Sequence, residues 1–172
     1  MDASSAFKDS LPTTPETLMT MLTSLGISYT THTHPPLRTV EDAKAFRGDL
    51  QGAHIKNLYL RDRKKRNFLL VVGEDKSIDL KVLPGLIGSD RLSFGSAERL
   101  FEMLGVRPGA VSPFTLINDP NHHVQLVLDA DLVHQPCLFA HPLVNDMTLG
   151  VSGPDLIRFF AHFGHDPELL TF

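Results

Sequence analysis

Three short stretches of this chain set polar side chains or bare backbone beside rigid turns: residues 52–57 (GAHIKN), 109–113 (GAVSP) and 141–145 (HPLVN). Lys56 stands out in the first. If residues 55–61 form a strand, side chains alternate across it, so Lys56 shares a face with Leu58 and Leu60, while Ile55, Asn57, Tyr59 and Arg61 take the other. A lysine on a leucine face either sits at the strand end, carrying its ammonium out to solvent on an aliphatic stem, or is held in a partly dry site for a chemical purpose. The pattern alone leaves both open.

Other chemistries find little support. There is no Gly-rich phosphate loop, no nucleophile elbow around a serine and no helix bearing two zinc-binding histidines. His32 with His34, on one strand face, and the adjacent His122 and His123 invite a metal, but no carboxylates or cysteines stand at ligand spacing, so neither a metal site nor a cofactor is expected. Cys137 is the single cysteine. It excludes an internal disulfide and a cysteine-rich zinc site, suits a reducing compartment, and between Pro136 and Leu138 reads as buried filler rather than a nucleophile.

The elements that must position these residues can be outlined from periodicity and caps. Thr14-Pro15-Glu16 opens a helix whose Leu18, Met21, Leu22 and Leu25 recur at helical spacing, stopped by Gly26. Residues 27–33 are extended up to Pro35 and Pro36, and Thr39 with Asp42 resembles a capping box for a short helix ending near Gly48. Residues 55–61 and 67–73 form a hairpin around a charged turn. Ile78, Leu80 and Val82 alternate as a further strand. Ser96 caps a helix with Leu100, Phe101 and Leu104 inward and Gly105 at its end, and residues 105–113, with two glycines and two prolines, form a shaped loop. Strands are expected at 114–117, 124–128, 138–139 and 149–151, and a last helix runs from Gly153-Pro154 to Gly164. Short strands with helices between and around them, without regular alternation, indicate an α+β fold with a mixed, mostly antiparallel sheet.

At 172 residues, 42% apolar and 21% charged, the chain fits one globular domain spanning 1–172. Sixteen Lys and Arg against twenty Asp and Glu leave a net charge of −4, so no global field draws in nucleic acid and any RNA contact must be local. The first ten residues lack the basic start and apolar run of a secretory signal, and the longest aliphatic run, 68–72, is too short to cross a bilayer, so a cytoplasmic protein is expected.

The stretches FRGDLQGAHIKNLYLRD, RLSFGSAERLFEMLGVRPGAVSPFTLIND and HPLVN, in this order and at these spacings, resemble the YbaK/ProX family of free-standing relatives of the prolyl-tRNA synthetase editing insertion, over roughly residues 26–164. The long form is most similar to the alanyl-tRNA(Pro) deacylase subgroup. The resemblance implies an ester hydrolase with a central mixed β-barrel surrounded by helices. The family's lysine falls on Lys56 with Asn57 beside it; its glycine-to-proline pocket loop falls on Gly109, Ala110, Val111, Ser112 and Pro113; its histidine-proline segment falls on His141, Pro142 and Asn145. Where relatives often carry Ala-Thr-Thr after that asparagine, this chain has Asp146, Met147 and Thr148.

So placed, Lys56 and backbone amides would stabilise an oxyanion, the stiff loop would admit alanine and exclude proline, and the substrate's terminal ribose hydroxyl would help position the water. His141 would mainly pack or donate a hydrogen bond, and Asn145 would hold the loop or the substrate's amino group. Lys44, Arg47, Arg61, Arg63, Lys64, Lys65 and Arg66 could meet acceptor-stem phosphates, although such a charged turn is more often simply solvated. The expected partner is the acceptor end of mischarged tRNA(Pro), together with a prolyl-tRNA synthetase, and neither DNA nor a membrane. Deacylation of serine- or cysteine-charged tRNA, or non-catalytic tRNA or nucleotide binding by the same fold, are the alternatives.

Overall fold

The computed structural model describes residues 1–48 and 50–172. Its centre is the hairpin of β2 (Ala53–Asp62) and β3 (Asn67–Gly73), with Lys56 opposite Val72, Leu58 opposite Leu70 and Leu60 opposite Phe68. β3 is buried along nearly its whole length, as a strand covered on both faces must be. On one face, Tyr59, Leu69 and Val71 join a large core with Leu126 and Leu128. On the other, Leu60, Phe68, Leu70 and Val72 join a smaller one with Leu83, Ile87 and Val127.

Eight strands form one mixed sheet in the order β1 (Thr30–Thr33), β7 (Met147–Val151), β6 (Leu138–Ala140), β2, β3, β5 (Val124–Asp129), β8 (Glu168–Leu170), with β4 (Leu92–Phe94) also pairing β2. Pairings of β1 with β7, β2 with β3, β2 with β4 and β6 with β7 are antiparallel; those of β2 with β6, β3 with β5 and β5 with β8 are parallel. The expected mixed architecture is therefore present. Around it lie α1 (Pro15–Ser24), α2 (Val40–Arg47), α3 (Leu83–Ile87), α4 (Ala97–Leu104) and α5 (Gly153–His162). Thr14, Thr39, Ser96 and Ser152 cap four of these with side-chain oxygens, the Thr39–Asp42 box being complete.

Two expected strands take other forms. Residues 78–82 are irregular: the Asp79 carboxylate accepts from the Lys81 N–H and its carbonyl from Val82 and Leu83, which starts α3 with Pro84 in its first turn. Ile78 and Leu80 still pack on the smaller core. Residues 114–117 lie in a 3-10 helix, Pro113–Asn118, because the Ser112 hydroxyl accepts from the Phe114 N–H and Pro113 fixes the first turn. Capping chemistry overrides the strand propensity of Phe-Thr-Leu-Ile here.

Candidate active site

β2 is longer than its neighbours. β6 pairs with it only at Ala53 and His54 and β4 only from Leu60 to Asp62, so one edge has no strand in register with it over residues 55–59. The Tyr59 carbonyl points to that edge and accepts from Gly95 N–H, so by strand alternation the Asn57 N–H and C=O point the same way. The open edge forms one side of a groove of about 300 Å³, within the range of small-molecule sites. The opposite wall comes from Leu37 to Val40 and from Ala43 of α2.

Lys56, Asn57, Gly109, Val111 and His141 all line this groove. Lys56 is half-buried, and its Nζ donates to the Lys76 main-chain carbonyl, so the ammonium is tethered at the sheet rim with further donors to spare. Asn57, on the other face of β2, has a buried Oδ1 that no described group satisfies. A smaller cavity of about 80 Å³ opens beside the groove, also lined by Asn57 and His141.

Within the glycine-to-proline loop, Gly109 and Val111 line the groove, whereas Ala110, Ser112 and Pro113 are buried in the interior and hold the loop's shape. Gly109 has φ +98°, and a Cβ there would stand 3.3 Å from Asn145 Nδ2. Asn145 is not on the groove wall. Its amide donates to the Leu37 carbonyl (3.2 Å) and its main-chain carbonyl accepts from the Leu37 N–H (2.9 Å), so this asparagine braces the opposite wall at Leu37. The turn that carries it places Leu143 at φ +71°, a conformation a leucine keeps only where packing holds it, here inside the main core.

His141 Nδ1 donates to the Met147 carbonyl (2.8 Å), which leaves the Nε2 lone pair of the neutral ring available. Burial pushes this imidazole's pKa down, against the upward pull of the Met147 carbonyl. Beside it, His34 Nδ1 donates to the Pro35 carbonyl and Nε2 accepts from the Thr148 hydroxyl, both at 2.8 Å, with the two histidine rings 5.9 Å apart. His34 is thus held by two hydrogen bonds, while the His32 ring packs edge-on against Phe139. Cys137 is partly exposed rather than fully buried as expected, and desolvation raises its thiol pKa, which disfavours the thiolate.

The sequence did not single out Glu74. Its carboxylate, 6% exposed, pairs with Arg47 at the groove's inner end, where His54 also has its pKa lowered, by burial first and by the Arg47 charge second. Hairpin register was the available signal, because Glu74 N–H donates to the His54 carbonyl one step beyond the pairing of Ile55 with Gly73.

Of the candidate phosphate contacts, Arg47 is taken up by Glu74, and Arg66 by the buried Asp62 (2.7 Å). The Arg61 Nε is buried with no hydrogen-bond partner among the described residues. Lys44, Arg63, Lys64 and Lys65 are exposed, the last three on the hairpin turn. At about 3.3 Å per residue that turn lies roughly 20 Å from Lys56.

The structure thus sets a lysine, a braced histidine and a glycine-proline loop around one groove on an open-edged mixed sheet. Residues 34–159 match the family described as the aminoacyl-tRNA editing domain, and the chain belongs to that family. Within it, the chain is similar to the prolyl-tRNA editing protein ProX of Acetoanaerobium sticklandii, at 39% identity over 87% of this chain and 92% of that one. It is also similar to prolyl-tRNA synthetase associated domain-containing protein 1 of Danio rerio, at 36% identity over 88% of this chain and 83% of that one. Among solved structures, a candidate trans-editing enzyme for prolyl-tRNA synthetase superposes with a TM-score of 0.67 at 22% identity, over 92% of this chain and 96% of that one, a likeness of fold. No helix among the described residues is long and apolar enough to cross a membrane.

Proposed function

We propose that this chain is a trans-editing aminoacyl-tRNA deacylase that hydrolyses the ester linking alanine to mischarged tRNA(Pro). The observation that carries this reading is the meeting of Lys56, Gly109, Val111 and His141 on one groove along the open edge of β2. A synthetase pocket built for proline rejects alanine poorly, since missing methylenes are worth only about 1–3 kcal/mol, so a second site must sort by bulk. The rigid backbone at Gly109 and the small adjoining cavity suit the methyl of alanine better than a pyrrolidine ring.

Water attacks the ester carbonyl carbon, the tetrahedral oxyanion collapses, and the ribose oxygen leaves with a proton. Lys56 and the free Asn57 N–H are the donors for the oxyanion, and one such donor contributes roughly 3–4 kcal/mol. The unsatisfied Asn57 Oδ1 suits the substrate's α-ammonium. The neighbouring ribose hydroxyl positions the water, so a tRNA ending in the deoxy sugar should be hydrolysed far more slowly; full hydrolysis of it would defeat that step. Exposed Lys44, Arg63, Lys64 and Lys65 would meet phosphates of the acceptor stem. Such an enzyme works in the cytoplasm, on tRNA released by prolyl-tRNA synthetase.

A second reading, serine as the acyl group, is favoured by that same Asn57 oxygen, which would accept from a side-chain hydroxyl. Purified alanyl-, seryl-, cysteinyl- and prolyl-tRNA(Pro), compared side by side, decide the matter. Fast loss of alanine with proline retained is the expected result. Binding without turnover of any ester would leave a tRNA-binding module instead.

A further inference from the structure

Asn145 and Asp146 are joined to a part of the chain that does not line the groove. The Asn145 N–H donates to the Ala3 carbonyl (2.8 Å). The Asp146 carboxylate accepts from the Ser5 N–H (3.1 Å to each oxygen) and from the Ser5 hydroxyl (2.6 Å). Asp2 stiffens the same stretch by accepting from the N–H and hydroxyl of Ser4 at 2.9 and 2.5 Å. Ala3 is buried, and its Cβ would be 3.9 Å from a Cβ on Gly109. Residues 2 and 3 border a separate cavity that shares only Gly109 and Arg38 with the groove. Ala3 and Asn145 therefore bound the space behind Gly109, where only an added Cβ would reach them, while Gly109 also lines the substrate groove.

We propose that residues 2–5 are a positioning strap: pinned on Asp146, they hold Gly109 from behind and so set how bulky an acyl group the groove admits. The inference rests on the deacylase reading above. None of these residues touches the reacting atoms; they act through Gly109, so the effect should fall on selectivity rather than on turnover of the small substrate.

The test uses the full chain with Asp146→Ala and, as the conservative control, Ser5→Thr, which keeps both donors. For Asp146→Ala, alanyl-tRNA(Pro) hydrolysis should stay within about threefold of the parent while prolyl-tRNA(Pro) hydrolysis rises at least tenfold. Ser5→Thr should keep the parental ratio. An unchanged ratio in active Asp146→Ala, or both rates falling together, would overturn the strap. Amide hydrogen exchange of residues 106–112 separates this inference from the activity it rests on. If the parent deacylates neither ester, the functional reading fails, and exchange alone decides: faster exchange in Asp146→Ala upholds the strap, and unchanged exchange sinks it.

Discussion

Lys56 shares a strand face with Leu58 and Leu60, and its charge is accommodated by the Lys76 carbonyl at the sheet rim. Both readings of that lysine allowed by strand alternation are partly realised: the stem lies on the apolar face and the head is fixed rather than loose. Replacing it with alanine removes a donor without opening the interior. Lys56→Ala should lower deacylation by 10²-fold or more, with stability changed by no more than about 1 kcal/mol; single-turnover rates beside a thermal melt check this, and an unchanged rate removes Lys56 from the chemistry. Gly109 makes a different demand. With φ +98° and Asn145 Nδ2 3.3 Å from any added methyl, Gly109→Ala should cost about 1–2 kcal/mol of stability and raise KM for the alanyl ester. A variant as stable as the parent would show that the loop is not held there.

At the scale of elements, α2 walls the groove yet buries none of its residues fully, so its local chemistry has to hold it in place. Thr39→Ala removes the N-cap half of a complete capping box, worth about 1 kcal/mol. KM should rise severalfold with kcat little changed, and steady-state kinetics showing the reverse would place α2 outside substrate binding. The capped helices and the β2–β3 hairpin were legible because Thr14, Thr39, Ser96 and the alternating leucines act locally. The strand expected at 114–117 was misread because apolar β-formers follow Ser112-Pro113, whose cap turns them into a 3-10 helix that buries Phe114 and Leu116. β4 and β8 are three residues each, too short for any periodicity to reveal. Family resemblance pointed to Lys56, Gly109 and His141, which line one groove, but it could not tell that Ala110, Ser112 and Pro113 face the interior. Nor could it reveal the Arg47–Glu74 pair, which exists only once α2 is folded against the end of β3.

For the whole molecule, burial lowers the pKa of both His54 and His141 below the ordinary histidine value of about 6.5. As pH drops through that value the unfolded chain takes up protons before the folded one. The stability these neutral rings provide is therefore full above about pH 6.5 and is lost progressively on acidification. The melting midpoint should be lower at pH 5.5 than at pH 7.5, and a flat profile between the two would contradict the burial of these rings. Net charge of −4 leaves tRNA affinity to the few exposed lysines and arginines, so binding should weaken with salt on a shallow slope of only a few ions. A salt-independent affinity would speak against phosphate contacts. The gap in pairing along β2 has a last consequence. An exposed strand edge usually invites another polypeptide to add itself as a further strand, with the risk of aggregation. This one is five residues long, capped at either end by β6 and β4 and roofed by α2, so a visiting peptide has no straight approach along it. A single-stranded nucleic-acid terminus, the substrate proposed above, would need only the mouth of the groove, and the naked edge would then act as a filter for the shape of the visitor.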